Sequence, residues 1–145
     1  MDWIYNDRAV TDDDLVGKVA FVYRITNLIS GKQYIGKKKL TSYRRKKIKG
    51  KKNRKKIISD SNWREYYGSN DEILREIEHL GVQCFRRQIL QFCSSLGEAS
   101  YLELRTQVLE NVLFQPDKYY NSIIQVRIHR KHVIKHSSNL GIDIH

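Results

Sequence analysis

The sequence predicts a small α+β domain, a short antiparallel sheet flanked by helices in the order β-β-α-α-β-α. Three observations predict it. Two aliphatic and aromatic runs, Val19-Ala20-Phe21-Val22-Tyr23-Arg24-Ile25 and Lys32-Gln33-Tyr34-Ile35-Gly36, flank the turn residues Asn27, Ser30 and Gly31, which reads as a hairpin. A third such run, Cys84-Phe85-Arg86-Arg87-Gln88-Ile89-Leu90-Gln91-Phe92-Cys93, comes later in the chain. Helical segments with recognisable start signals precede and follow that third run. At 145 residues the chain has room for one domain with one modest core.

Each element has its own signal. Thr11 precedes Asp12, Asp13 and Asp14 and caps a short helical turn ahead of the first strand. After the hairpin, the stretch around Thr41 to Lys49 is expected to be helical and the remainder of the basic segment, interrupted by Gly50 and Asn53, a mobile loop. Ser59 to Ser69 is turn-rich yet carries Trp63, Tyr66 and Tyr67, which suit packing in a core or lid as well as stacking on bases. Asn70 caps a helix whose amino end holds Asp71 and Glu72, whose apolar face holds Ile73, Leu74, Ile77 and Leu80, and which Gly81 stops. Ser95 and Glu98 have capping-box spacing, so Glu98 reads as a cap. The helix they open is expected to carry Ala99, Leu102, Val108, Leu109 and Leu113 and to stop before the single proline, Pro116. Tyr119 to Ile124 then returns to the sheet edge as a short extended piece. The organisation expected is an extension over 1–18, a domain over 19–124 with a basic insertion at 37–60, and a basic tail over 125–145.

The charge is concentrated. Of the net +11, the stretch from Lys37 to Lys56 contributes thirteen Lys or Arg and no acid, while the rest of the chain holds fourteen bases against sixteen acids. A local patch of this density points to phosphates, whose neutralisation releases counterions; the alternative is a solvated loop or a localisation tag. No apolar run approaches the ~20 residues of a membrane span, and Met1 to Asp7 lacks the pattern of a secretion signal. Cys84 and Cys93 are too few for a zinc site or a disulfide framework and read as buried thiols in a reducing compartment. Phage, bacterial cytoplasm and nucleus all fit. His129, His132 and His136 have helical spacing but read as surface residues of a basic tail.

Five segments taken together are more specific than any of them alone. Phe21-Val22-Tyr23 and Tyr34-Ile35-Gly36 lie on the hairpin, Arg44 stands eight residues past Gly36, Glu98-Ala99-Ser100-Tyr101-Leu102-Glu103 opens a helix, and Tyr120-Asn121 closes the series. In this order they resemble the GIY-YIG nuclease family from about Val19 to Ile124. The first motif keeps its tyrosine and departs at the glycine and isoleucine, whereas the second matches in full. Trp63 to Ser69, with the basic stretch before it, is similar to free-standing phage members. No second, DNA-reading domain is read after the nuclease-like stretch, so sequence recognition is expected to be weak.

The resemblance implies a metal-dependent DNA endonuclease acting in the cytoplasm, that of the host if phage-borne. Tyr23 would serve as general base or orient the water, Tyr34 would assist at the phosphate, and Arg44 would present a planar fork to phosphate oxygens. Arg45 and Arg54 compete for that last role. Glu103 aligns with the family's metal-binding glutamate, and if Leu102, Leu109 and Leu113 face the core it borders the buried stripe. A lone carboxylate suits Mg²⁺ or Mn²⁺, which keep several waters and substrate oxygens as ligands. Lys37, Lys38 and Lys39 are expected to favour the phenolate of a nearby tyrosine. Together with Arg45, Lys51, Lys52, Arg54, Lys55 and Lys56 they are the expected DNA contacts. Asn121 would fix the sheet edge or touch the phosphate. Two rival readings stand beside this one: a non-catalytic nucleic-acid-binding module of the same fold, and a structure-specific nuclease for branches or flaps.

Overall fold

The computed structural model describes residues 2–47, 50 and 54–132, with side chains described outside 43–47, 54–59 and 132. Its strands are β1 (Ile4–Tyr5), β2 (Arg8–Ala9), β3 (Ala20–Asn27), β4 (Gln33–Lys39), β5 (Thr41–Lys47), β6 (Arg54–Asp60) and β7 (Phe85–Cys93). Its helices are α1 (Asp71–Leu80) and α2 (Leu96–Leu109). Five strands form one sheet in the order β2-β1-β7-β3-β4, and β5 pairs with β6 in a separate two-stranded ribbon. The five-stranded sheet is mixed, since β1 runs parallel to β7 while the β2–β1, β7–β3 and β3–β4 pairs are antiparallel. The α+β expectation therefore holds, with an added parallel edge.

β3 is the middle of the molecule, and its sequence says why. A strand covered on both faces reads as a nearly continuous apolar run, and every residue of Ala20–Asn27 except Arg24 is buried. Phe21, Tyr23 and Ile25 face a cluster with Trp3, Trp63, Ile73, Phe85 and Phe92. Ala20 and Val22 face the other way, onto Ile35, Cys93, Ala99, Leu102 and Val112. α1 and the loop before it cover the first face, and α2 covers the second. The pairing with β7 slips between Val22 and Tyr23, where Val22 faces Gln91 and Tyr23 faces Ile89. This bulge bends the strand next to Tyr23.

The helix signals hold in detail. Asn70 Oδ1 accepts from the Ile73 amide at 3.1 Å, and the Gly81 amide closes α1 on the Ile77 carbonyl. Ser95 Oγ accepts from the Glu98 amide at 3.1 Å, while a Glu98 oxygen accepts from the Ser94 amide at 3.2 Å, so Glu98 is a cap as expected. Thr11 and Asp14 form a capping box on a single 3₁₀ turn. Tyr119 and Tyr120 return to the sheet, with the Tyr120 amide donating to the Gln33 carbonyl at 2.8 Å.

Two expectations are corrected. The segment expected as a helix from Thr41 to Lys49 is strand over Thr41–Lys47, and β6 occupies much of the stretch expected as a loop. A helix would stack like charges at i and i+4 with no apolar stripe to bury. A strand separates successive charges to opposite faces and sets Tyr43 and Arg44 opposite Ile58 and Ile57. The second helix ends at Leu109 and not near Pro116, because Asn111 takes a left-handed conformation (φ 53°) that breaks it. Leu109 and Leu113 are therefore 68% and 43% exposed and do not face the core. The buried stripe of α2 is instead Ala99, Leu102 and Gln107. Among the described residues no helix is long and apolar enough to cross a membrane.

Residues 1–18, read as an N-terminal extension, supply β1, β2 and a core residue. Trp3 is 3% exposed, its ring lies 5.0 Å from Phe21 and 5.4 Å from Tyr23, and its Nε1 donates to the Trp63 carbonyl at 2.7 Å. Trp3→Ala should accordingly cost about 3–5 kcal/mol of stability, the range for emptying a buried aromatic site. Urea unfolding checks this; a midpoint close to wild type would mean that the first residues are an appendage.

Candidate active site along the edge of β4

β4 is the outer strand of the sheet, so each backbone group on its free side needs a partner from elsewhere. The chain supplies partners along most of the strand. The Gln33 amide donates to the Lys118 carbonyl at 2.8 Å. The Ile35 amide donates to Asn121 Oδ1 at 3.0 Å, and the Ile35 carbonyl accepts from Asn121 Nδ2 at 2.9 Å and from Gln107 Nε2 at 3.1 Å. The Lys37 amide lies against the Glu103 carboxyl and favours its charged form. Ser61 Oγ donates to the Lys39 carbonyl at 2.5 Å. Asn121 thus does what a neighbouring strand would do at Ile35, and of its two expected roles the one seen is fixing the sheet edge.

Tyr23 on β3 sits directly across from Gly36 on β4. A Cβ at Gly36 would lie 2.5 Å from the Tyr23 hydroxyl and 2.9 Å from the Tyr34 ring, which is why this position has none. The two tyrosine rings are 6.2 Å apart, and Tyr66 packs edge-on against Tyr23 at 6.0 Å. Gly68, at φ +90°, passes over the pair. Arg87, buried on β7, holds this loop down. Its guanidinium donates to the carbonyls of Arg64 and Tyr66 at 2.9 and 2.8 Å and lies 4.7 Å from the Trp3 ring and 4.1 Å from the Tyr67 ring. Trp63, Tyr66 and Tyr67 are in this packing, as the core-or-lid reading had it.

Burial, and not the neighbouring lysines, sets the protonation of these groups. Burial holds the Tyr23 hydroxyl well above the usual tyrosine range, and Tyr66, Tyr34 and Glu103 push it the same way. Burial also raises Tyr34, partly offset by a hydrogen bond with Ser69. The expected phenolate is therefore corrected. Lys38 lies over the Tyr66 ring at 4.3 Å and is itself pushed down by burial and by Lys39, and Lys37 Nζ donates to Ser100 Oγ at 2.6 Å. Glu103 is raised by burial, partly offset by Lys37.

A cleft of about 400 Å³ opens here, lined by Tyr34, Ser69, Asp71, Glu103, Gln107 and Asn121 among others. Three of the expected site residues, Tyr34, Glu103 and Asn121, thus meet in one cleft, with the Tyr23 hydroxyl just beneath Gly36. Arg44 and Arg45 lie on β5 and Arg54 on β6, but their side chains fall outside the described residues, as do those of Lys55 and Lys56 and the whole of Lys51 and Lys52. Among the described residues no three His, Cys, Asp or Glu come together. A cation here would take Glu103, with Asp71 in the same cleft, and fill its shell with water and substrate oxygens, a donor set that suits a hard ion. Gln107, Ser69 and Arg87 were not foreseen. Gln107 was within reach of sequence reasoning, since it lies four residues past Glu103 on the same helical face.

Gly36→Ala should destabilise the protein by about 1–3 kcal/mol, as for overpacking of a filled core, because the Tyr23 ring it would strike is 1% exposed and has nowhere to go. Thermal or denaturant unfolding reads this out, and an unchanged stability would show that Tyr23 is free to move aside.

None of the curated proteins and none of the solved structures matches this chain. The family model described as "Putative endonuclease segE, GIY-YIG domain" matches residues 3–124. That span runs from Trp3 in the core through the hairpin, both helices and Asn121 at the edge of β4, and on it the chain belongs to the GIY-YIG endonuclease family.

Proposed function

We propose that the protein is a metal-dependent DNA endonuclease that hydrolyses a phosphodiester in the cleft between β4 and α2. The observation that carries this reading is the convergence of Tyr34, Glu103 and Asn121 on one cleft, with Tyr23 behind it. A Mg²⁺ or Mn²⁺ ion bound at Glu103 would supply Lewis-acid stabilisation of the charge that develops on the phosphate. Asn121 and Gln107 hold β4 by its Ile35 backbone, two residues from Lys37. Tyr34, its hydroxyl hydrogen-bonded with Ser69, directs that group at the substrate. Tyr23 stays protonated at neutral pH, so its part is to hold a water or an oxygen by donating, and not to remove a proton as a resting phenolate. Arg44 is the proposed phosphate clamp. Its strand leaves from a fixed root, where the Leu40 amide donates to the Val19 carbonyl at 2.9 Å and the Leu40 carbonyl accepts from the Ser61 amide at 3.0 Å.

Glu103→Gln separates chemistry from fold. The ionised carboxyl is the form that burial penalises, so its pKa stands above the ordinary 4.5. A raised carboxyl contributes stability below its unfolded pKa and loses it as pH rises through the folded one. The variant should therefore be at least as stable as wild type at neutral pH, yet cut no plasmid in Mg²⁺. Tyr34→Phe should lose about 10²-fold in rate with little change in stability. Plasmid cutting by Glu103→Gln at the wild-type rate would leave the non-catalytic, binding-only reading.

The basic segment is proposed to hold DNA apart from the chemical step. Each phosphate contact adds about −0.9 to the slope of log affinity against log salt on B-DNA. Replacing Lys51, Lys52, Lys55 and Lys56 with Gln should flatten that slope and weaken binding alike on unrelated sequences, while single-turnover cutting at saturating protein stays nearly unchanged. Arg44→Ala should do the reverse. A slope that does not move in the four-lysine variant would assign the segment to solvent.

A further inference from the structure

A second cleft, of about 250 Å³, lies between the end of β4 and the start of α2. Lys37, Lys38, Lys39 and Ser61 line it with no acid among its lining residues, and Leu96 and Ala99 of α2 give it an apolar wall. The two clefts share no lining residue but adjoin where Lys37 of the second meets Glu103 of the first. Lys37 has its amide against Glu103 and donates its Nζ to Ser100, one helical turn earlier on α2. The helix therefore tracks the strand edge, Gln107 beside Ile35, Glu103 and Ser100 beside Lys37, and Leu96 at the far end. Along β4, Lys37 and Lys39 are two residues apart on the α2 side, about 6.8 Å at an antiparallel rise. That is close to the separation of successive phosphates on an extended nucleic-acid strand.

We propose that this cleft binds the nucleotide adjoining the one cut, its phosphate at Lys39 and its sugar or base against Leu96 and Ala99. The inference rests on the nuclease reading for the identity of the neighbouring phosphodiester. Two of the three lysines are already engaged, Lys37 with Ser100 and Lys38 over the Tyr66 ring. Lys39 is exposed, and among the described residues no acid pairs with it. A bare anion would have no use for the apolar wall, whereas a nucleotide carries both an anion and an apolar face. The polarity of the groove agrees with this. Asp71 and Glu103 occupy one end, where a cation is proposed, and the lysines occupy the other, so a strand laid along β4 meets the ion at one phosphate and Lys39 at the next.

The test is titration of the isotopically labelled protein with the trinucleotide d(TpTpT), without metal, followed by amide chemical shifts. The proposal expects saturable shifts at Lys37, Lys39, Ser61, Leu96 and Ala99. Leu96→Trp, which fills the cleft, should abolish them, and Lys39→Gln should weaken binding about tenfold, the worth of one charge-assisted hydrogen bond. Shifts confined to other surfaces, or shifts at the cleft that Lys39→Gln leaves equally strong, would overturn it. Because the readout needs no turnover, it is independent of plasmid cutting. A protein that binds the trinucleotide here and never cuts DNA would sink the nuclease reading and the placement next to a cut phosphodiester while leaving the nucleotide site, and one that cuts DNA with no response here would sink only this inference.

Discussion

The outer edge of β4 is the constraint on which the rest of the site depends. A sheet that stops at this strand leaves a row of amides and carbonyls that must find partners, since an unmade buried hydrogen bond costs more than a made one gains. The partners come from α2 and from the stretch after Lys118, and two of them, Glu103 and Asn121, are the residues that the family resemblance marks as functional. Stability and site assembly therefore draw on the same contacts. The folded edge cannot close without bringing a carboxyl and an amide to the strand that carries Tyr34.

The second shaping influence is burial. The hairpin runs into a segment of dense positive charge, and charge alone would ease the ionisation of both tyrosines. Enclosure works the other way and prevails. Trp3, Phe21, Tyr66 and Gly68 crowd the Tyr23 ring, and the loop that crowds it is held by Arg87, whose two hydrogen bonds to carbonyls and two ring contacts hold it against β7. A neutral tyrosine and a partly desolvated carboxyl are what an enclosed, low-dielectric site produces. Such a site strengthens any interaction with a phosphate that enters it.

Much of this was legible in the residues, and the exceptions have physical causes. The β3–β4 hairpin, the caps Asn70 and Ser95, the break at Gly81 and the closing Tyr119–Tyr120 stretch all rest on local signals that tertiary packing did not override. Thr41–Lys47 misled because consecutive bases carry no period, and only a partner strand with Ile57 and Ile58 opposite makes extension favourable. The end of α2 misled because Leu109 and Leu113 look like core, whereas Asn111 in the left-handed region turns the chain and buries Val112 in their place. Trp3 belongs to the core through contacts sixty residues away along the chain, which no local window contains. At the site, Tyr34, Glu103 and Asn121 were named from the motif pattern. Gln107 and Ser69 act by geometry across elements and had no motif to announce them.

The central claim is that Glu103 serves the edge of β4 through the Lys37 amide, and amide hydrogen exchange at that residue tests it most directly. In the wild-type protein the Lys37 amide should be protected although β4 has no strand beyond it. In Glu103→Ala that protection should be lost, while Tyr23 and Ile25 on β3 stay protected. A Lys37 amide that exchanges freely in the wild type, or one equally protected without the carboxyl, would contradict the account.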